Sequence, residues 1–470
     1  MTLALPARPT LWLVLVAAVA VAMGAVVAVA PLIAVAAVAG CAVLALAFVA
    51  PVFHLSLLLA VTLIVPFEIL NAYSFGGSNS AGLLISDVLL LTGLLRAGLV
   101  LTRADLDRRL LLCGLLVGVL VAVWTLQSVR GVLAGASVSD TGFELRGLLG
   151  WSTLIIAMPI VADPRARARL LAGFVVSGLL LGLWGLVQYF GNIPFDGVGH
   201  YGVRESVAFT SGARQIQGGL FGFPVACLLA LAALASGAKL SGRMRMLLIA
   251  VAVANGLSLL FTFQRTFWLA TAAGFCLLIL RGASTQRVKS VMVLAAVCTV
   301  GVPLLAVASP NVLGDAKTRL LSVSRYASDN SLRARVVESR EAIIKIEERP
   351  FVGWGLGDEV RWGMPWLDVL PKDQAFLHNG YLWTAWKLGL PATALLIALI
   401  LWAMLARGPR GMDPLDAGIR HGAQATLLAM LAIGLTFPTF RVLVVTPTLG
   451  VLLAFCLMSR HTTKATDAAP

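Results

Sequence analysis

Three ionisable side chains lie beside long apolar runs and could carry chemistry. Arg265 separates two apolar runs with almost no loop between them, Arg214 opens another run, and His378 precedes a third. Charges beside membrane-spanning runs are costly and usually functional. A guanidinium binds phosphate oxygens through paired N–H groups, and an imidazole can take a proton from a hydroxyl near neutral pH. The three residues therefore predict an anion site with a general base.

Each of these residues also has a structural explanation. Arg265 could be an interfacial residue whose side chain extends to the water layer. Arg214 could be an ordinary arginine at a helix start, and His378 a histidine that only stabilises a helix end. Asp368 and Asp373 precede His378 closely and could compete with it as the base.

The chain has few signals for other chemistry. The remaining histidines have no metal-ligand spacing, and neither an HExxH motif nor a cysteine pair is present. A P-loop and a dinucleotide-binding glycine motif are also missing. The sequence therefore predicts neither a metal nor a cofactor. The net charge of +14 comes without any nucleic-acid-binding motif, so no nucleic acid is expected as a partner.

Composition indicates the elements that must position these residues. Of 470 residues, 59% are hydrophobic and 12% are charged, against about 25% charged in soluble domains. The mean hydropathy is +0.93. Apolar runs of about 20 residues match a helix that crosses a bilayer. We predict an all-α polytopic membrane protein of about fourteen helices, with these spans: 11–29, 32–50, 53–70, 82–101, 110–129, 147–162, 170–190, 214–236, 246–264, 266–281, 291–308, 379–406, 421–440 and 444–459.

Basic residues predict the orientation of these spans. Fifteen of them are assigned to five connections that share one side: Arg103, Arg108 and Arg109; Arg165, Arg167 and Arg169; Lys239, Arg243 and Arg245; Arg281, Arg287 and Lys289; Arg407, Arg410 and Arg420. Cytoplasmic loops carry an excess of lysine and arginine. Both termini are therefore predicted in the cytoplasm.

One connection is much longer than the others. Residues 309–378 contain ten basic and ten acidic residues and are predicted to lie outside the cytoplasm, between transmembrane segments 1–308 and 379–470. Within this loop, 331–348 predicts an amphipathic helix whose apolar stripe comprises Leu332, Val336, Val337, Ile343 and Ile344. Its end is marked by Pro350, which opens the glycine-rich segment PFVGWGLG.

The order of motifs in this loop resembles the O-antigen ligase and O-antigen polymerase superfamily. The resemblance rests on Arg335, Ala342, the segment Pro350–Gly357 and the closing segment His378–Leu382, HNGYL. Ser339 occupies a place where that family often has tryptophan.

Two upstream segments extend the resemblance. Arg265 follows Gln264 where the family usually has serine before arginine, and Arg214–Pro224 resembles the family's arginine-glycine-phenylalanine-proline element. Arg214 stands one residue further from Gly218 than that element leads one to expect. The resemblance covers 214–390, whereas residues 1–200 match only as hydrophobic spans.

The resemblance implies a membrane-embedded glycosyltransferase that uses a glycan on undecaprenyl diphosphate, outside the bacterial cytoplasmic membrane. It further implies inversion at the anomeric centre without a metal. His378 would be the general base, and Arg265 and Arg214 would hold the diphosphate. Arg335, Asn379 and Gln264 are predicted as further substrate-binding residues.

Several alternatives remain open at this stage. The acceptor is a glycan, a lipid-linked molecule or a protein, so ligase and polymerase are not separated. Arg204 or Arg441 could replace Arg214 in the diphosphate site. A multi-pass transporter of a small anion or glycolipid is the competing class, although its internal repeats and mid-membrane charges are not evident. A structural role, or a role as the partner of a flippase, is a further alternative.

Overall fold

The computed structural model describes residues 31–65, 82–101, 106–191, 218–282, 330–364, 369–409 and 411–458, together with strands 203–205 and 214–216 and isolated positions between these ranges. The predicted span 11–29 and most of the predicted span 291–308 lie outside the described residues. The described part is mainly helical, with two short antiparallel strand pairs.

The first half of the chain forms helices that begin at polar capping residues. Asp107, Ser137 and Asp163 each accept a backbone N–H from the first turn of the helix they precede. These helices are α1 (Pro31–Val49), α2 (Pro51–Ile64), α3 (Ile85–Leu101), α4 (Arg108–Leu133), α5 (Val138–Leu149), α6 (Thr153–Ala162) and α7 (Pro164–Phe190).

The second half adds the two strand pairs. Strand β1 (Val203–Glu205) pairs with β2 (Arg214–Ile216), and β3 (Val360–Met364) pairs with β4 (Val369–Gln374). The helices are α8 (Gly222–Ala235), α9 (Gly242–Phe261), α10 (Arg265–Arg281), α11 (Asn330–Glu348), α12 (Gly380–Leu388), α13 (Leu390–Leu405), α14 (Pro414–Gly434) and α15 (Thr446–Leu457).

Four helical stretches of the described part are long and apolar enough to cross a membrane: α4, Val138–Ala162 (which joins α5 to α6), α7 and α9. Shorter apolar helices are α2, α8, α13, α15 and the part Gly40–Val49 of α1. The chain is therefore a helical membrane protein, as predicted. The count of fourteen spans stays a prediction.

Several helices begin earlier than the predicted spans. Arg108, Arg165, Arg243 and Arg420 were predicted in connections, but they lie in α4, α7, α9 and α14. The predicted boundaries followed the apolar runs. Capping side chains and prolines start the helices before those runs. Arg108, Arg165 and Arg243 therefore lie in the first turns, and Arg420 lies in the second turn of α14.

Two predicted spans have a different structure. The span 214–236 begins with strand β2, and its helix α8 starts only at Gly222. The span 379–406 is broken into α12 and α13 at Gly389, where φ is +85°. A Cβ at Gly389 would lie 2.3 Å from the carbonyl oxygen of Phe351. The break therefore accommodates the glycine-rich segment, which the apolar pattern could not reveal.

Small residues let the central helices pack closely, as the many alanines and glycines predict for a membrane protein. A Cβ at Gly182 of α7 would lie 2.8 Å from the Cβ of Ala254 on α9, and one at Gly274 of α10 would lie 2.6 Å from the carbonyl oxygen of Ala425 on α14. These close approaches pack α7 against α9 and α10 against α14.

Helix α11 buries a face that overlaps only in part with the predicted stripe. Val337 packs against the core, whereas Val336, Ile343 and Ile344 are exposed and Glu338, Ala342 and Ile346 are buried. The buried residues are spaced by four and therefore lie on one face. The apolar pattern could not include Glu338, which is buried because it has polar partners.

The glycine-rich segment anchors the loop to the membrane helices. Trp354 and Gly355 donate their backbone N–H groups to the carbonyls of Trp386 and Lys387, and Leu356 donates to the carbonyl of Gln127 on α4. These bonds tie the loop region after α11 to α12 and α4.

Candidate active site

His378 is held by a buried carboxylate that the sequence analysis missed. Glu338 Oε2 on α11 lies 3.0 Å from His378 Nδ1, and the Glu338 side chain is 1% exposed against 37% for the histidine. The backbone N–H of His378 also donates to Glu338 Oε1 at 3.1 Å. When a carboxylate accepts from Nδ1–H, the neutral imidazole presents Nε2 as its proton acceptor. The pair is therefore arranged for general base catalysis.

Asn379 fixes the helix that follows the histidine. Its Oδ1 accepts the backbone N–H groups of Tyr381 at 3.0 Å and Leu382 at 3.1 Å. An asparagine in this N-cap role satisfies donors that the first helical turn leaves unpaired. The geometry favours a positioning role for Asn379 over the predicted substrate contact.

Phe437, in the turn after α14, connects several predicted site elements. Its ring centroid lies 6.5 Å from that of His378 and 5.1 Å from that of Phe267 on α10. The guanidinium carbon of Arg335 lies 5.7 Å from the same ring, within the range of a cation–π contact. The structure thus brings His378, Arg335 and the start of α10 around one aromatic side chain.

Arg265 is the first residue of α10, in a tightly constrained turn. Phe263, two residues earlier, has a φ of +49° and is fully buried. A positive φ in a bulky residue is strained, and such strain clusters at functional sites. Gln264 occupies the N-cap position without a side-chain capping bond. Its role beside Arg265 stays a prediction.

The position of Arg214 is defined only by its backbone. It lies on β2 opposite Glu205, and Arg204 lies opposite Gln215. The side chains of Arg204 and Arg214 lie outside the described residues.

The segment that follows β2 leads to the aromatic residue beside His378. Gly219 packs against Phe223 and Leu181. The ring of Phe221 meets that of Phe437 edge-on, with the ring centroids 6.1 Å apart. The segment after Arg214 therefore approaches the same aromatic residue as His378.

A buried charged cluster lies behind this site. Lys387 Nζ is 3.0 Å from Glu144 Oε1, with side chains 0% and 1% exposed, and Arg441 Nη1 is 3.8 Å from the same oxygen. Lys387 also donates to the carbonyl of Asp358. Burial lowers the pKa of Arg441, and the charge of Glu144 acts in the opposite direction. Two cations thus share one carboxylate.

Aromatic rings connect this cluster to the histidine. The guanidinium carbon of Arg441 lies 4.9 Å from the ring of Trp383 and 5.4 Å from that of Phe376. The Phe376 ring in turn meets His378 edge-on at 4.8 Å. Arg441 was left open as an alternative to Arg214 in the diphosphate site. A single aromatic ring, that of Phe376, separates it from the candidate base.

Two residues of the site, Lys387 and Glu338, were not predicted from the sequence, and only the first has a signal there. Lys387 lies inside a predicted span, and charges there are usually functional. Glu338 has no such signal, because forty residues separate it from its partner.

Two carboxylates were proposed as competitors of His378 for the role of base. Asp373 lies on β4 opposite Arg361 and is exposed, and Asp368 lies outside the described residues. Within the described part of the chain, no three His, Cys, Asp or Glu residues are arranged to hold a metal ion.

The fold and this site define a class: a helical membrane protein with a histidine–carboxylate pair and several arginine-bearing segments near one end of its helices. The model of the O-antigen ligase family matches residues 248–397. The match confirms the resemblance to the O-antigen ligase and polymerase superfamily and supports a glycan ligase or polymerase of the bacterial inner membrane. The matched range includes Arg265, Arg335, Glu338 and His378. No curated protein matches the chain.

Proposed function

We propose that the protein transfers a glycan from undecaprenyl diphosphate to an acceptor hydroxyl at the outer face of the cytoplasmic membrane, as a ligase or a polymerase. The observation that carries this proposal is the Glu338–His378 pair, in which a buried carboxylate orients a partly exposed imidazole. A base that must meet a large glycan acceptor has to be accessible, whereas the group that orients it can be buried.

The proposed step is a direct displacement. The acceptor oxygen forms a bond to the anomeric carbon of the donor while its proton passes to His378 Nε2. The bond between that carbon and the diphosphate oxygen breaks, and the lipid diphosphate leaves with the bonding electrons. Attack from the face opposite the leaving group inverts the anomeric centre. Release of the proton to water restores the neutral imidazole.

Arginine side chains are proposed to stabilise the leaving diphosphate. Arg265 at the start of α10 and Arg214 on β2 would contact its oxygens, and Arg335 beside Phe437 would add a third charge. The formal charges of Glu144, Lys387 and Arg441 sum to +1, which is the sign that would favour an anion nearby. Fixed cations at a developing anion can replace a divalent metal.

The proposed orientation places this site outside and the basic helix ends inside. Three contacts support it by joining basic ends of different helices: Arg109 donates to the carbonyl of Arg407 at 3.3 Å, Arg281 to Gln424 at 3.4 Å, and Arg167 Nε to Asp416 at 2.8 Å. Helices α10 and α14 both connect this basic end with the candidate site: α10 starts at the site and ends at Arg281, and α14 runs in the opposite direction.

The assay uses purified full-length protein in nanodiscs with an undecaprenyl-diphosphate oligosaccharide. The acceptor is a second donor molecule, a lipid A-core or a peptide, which separates polymerase from ligase. We expect release of undecaprenyl diphosphate in step with glycan transfer, an inverted product by NMR, and full activity in EDTA. The proposal is wrong if no acceptor supports coupled release. It is also wrong if His378→Ala transfers glycan as fast as the wild type.

Anion transport is the competing function. A helix broken at Gly389 is also a feature of transporters. Here, however, the break is filled by the backbone of residues 350–353, because Leu390 donates its N–H to the carbonyl of Pro350. Uptake of labelled anion into proteoliposomes, without any glycan transfer, would favour the transporter.

A further inference from the structure

A polar cavity lies at the end of the helices opposite the candidate active site. It has a volume of about 570 Å³ and is lined by Arg281, Arg407, Arg420, His421 and Gln424, together with the end of α13. Helix α10 starts at Arg265 and ends at Arg281 after 17 residues, which is about 25 Å of helix. The cavity is therefore distinct from the site around His378.

The charge of this cavity is strongly positive. Among the described residues, no acidic side chain lines it. The nearby carboxylate of Asp416 is already paired with Arg167 through both of its oxygens. Asp413 accepts the N–H of Leu415 as the N-cap of α14. The carboxylates of Asp416 and Asp413 thus have other partners than the arginines that line the cavity.

A surplus of arginine on exposed connections would follow from membrane topology alone. Arg420 does not fit that explanation, because it is 3% exposed and lies inside α14. Its Nε donates to the carbonyl of Cys456 and its Nη2 to that of Ala406. A Cβ at Gly408 would lie 2.0 Å from Arg420 Nη1, so the connection passes directly over the guanidinium. A buried charge is costly unless it is compensated, and this one is rigidly held.

We propose that this cavity binds a phosphate-bearing anion, with Arg281 and Arg407 as its charged contacts and Arg420 as its rear wall. Guanidinium groups match phosphate oxygens in geometry and charge. Basic pockets between membrane helices bind phospholipid head groups. Either a lipid head group or a soluble phosphate supplies this chemistry, and the experiment separates the two sources.

The test compares the full-length protein with the double variant Arg281→Gln/Arg407→Gln. Arg407 is exposed and Arg281 is half-buried, so the fold is expected to persist. Arg243→Gln is the matched control, because Arg243 is exposed in the first turn of α9 and does not line the cavity. Arg407→Gln alone replaces the double variant if that protein does not fold.

Two probes are used, and neither readout depends on enzymatic activity. Native mass spectrometry counts phosphatidylglycerol against phosphatidylcholine retained from mixed nanodiscs, and calorimetry measures pyrophosphate binding in phosphatidylcholine nanodiscs. We expect the wild type and Arg243→Gln to bind one of the probes, and the double variant to bind it about tenfold more weakly, which corresponds to about 1.4 kcal/mol. Retained phosphatidylglycerol identifies a lipid site, and bound pyrophosphate a soluble ligand. The proposal is overturned if neither probe binds or if Arg243→Gln loses binding equally.

Discussion

At the scale of single residues, the proposed chemistry depends on one partly exposed imidazole and the groups that orient and surround it. His378 is accessible, Glu338 is buried against its Nδ1, and Phe376 and Phe437 flank its ring. Restricting the ring in this way keeps Nε2 aimed at one place, which is what a base must do for an acceptor that arrives from solution.

Replacing the base should remove most of the turnover. General base catalysis contributes about 10²–10⁴-fold, so we expect His378→Ala to lower the transfer rate by that order while donor binding persists. Transfer rate at saturating donor, together with a separate measurement of donor binding, tests both expectations. Near-normal turnover of His378→Ala would assign the base to another group, with Asp373 next to be replaced.

Replacing Glu338, the carboxylate that orients the imidazole, should lower turnover although the base itself remains. Glu338→Gln keeps the shape of the side chain, but its amide can also donate to Nδ1 and so stabilise the wrong tautomer. In the analogous serine protease triad, such a change lowers kcat by about 10⁴-fold. We expect a loss of at least about tenfold in kcat with little change in KM for the donor. Equal activity of Glu338→Gln and wild type would mean that the pair is only structural.

The proposed contact of Arg265 with the diphosphate should require the paired N–H groups of a guanidinium. Arg265→Lys keeps the charge but loses the paired N–H groups, and one charged hydrogen bond corresponds to about tenfold or more in rate. We therefore expect at least a tenfold loss in kcat/KM. Arg243→Lys, at the other end of the helices, is the matched control and should be unaffected. Full activity of Arg265→Lys would favour the interfacial explanation for this residue.

At the scale of elements, the glycine-rich segment joins the loop to the break between α12 and α13. Helix α11 carries Glu338, and α12 begins directly after His378, so the distance between base and carboxylate depends on how these elements meet. Trp354 strengthens this junction, because Lys345 and Arg349 each lie 3.9 Å from its ring. Arg130 of α4 adds hydrogen bonds to the carbonyls of Val352 and Gly353.

A side chain at the helix break should destabilise the protein and weaken catalysis together. Gly389→Ala places a Cβ at a residue with a φ of +85° and close to the backbone of Phe351. With ψ at 162°, this is a region that essentially only glycine adopts, and another residue held there costs about 1–3 kcal/mol. We expect a lower Tm in detergent and a reduced transfer rate. Gly256→Ala, in a helix position with no atom within 4 Å of the added Cβ, should lower neither the Tm nor the transfer rate, because alanine favours a helix over glycine. An equal loss in the two variants would contradict this prediction.

At the scale of the whole molecule, the helices have one basic end and one end that carries the candidate site. The contacts among Arg109, Arg167 and Arg281 and their partners hold the basic ends of α4, α7, α10 and α14 together. The opposite ends of α10 and α14 meet at the contact between Phe267 and Phe437. The proposed direction of transfer therefore depends on which end faces the cytoplasm.

Reporter fusions can determine that direction. A reporter that works only in the exported compartment should be active when inserted near Ala327, in the long loop, because the basic connections predict that this loop lies outside. The same reporter at Gly408, between α13 and α14, should be inactive. The reverse pattern would invert the membrane orientation and would place the candidate site in the cytoplasm, where the proposed donor reaction would not apply.

The sequence by itself determined the helical membrane class, because apolar runs of membrane length require a lipid environment. It also singled out His378, Arg265 and Arg335, since their motifs and positions beside apolar runs are local features. The pairing of His378 with Glu338, the sharing of Glu144 by Lys387 and Arg441, and the break at Gly389 were decided only by the tertiary structure. Each of these features joins segments that are distant along the chain. Such contacts depend on how helices pack, and periodicity within one segment carries no information about its partner.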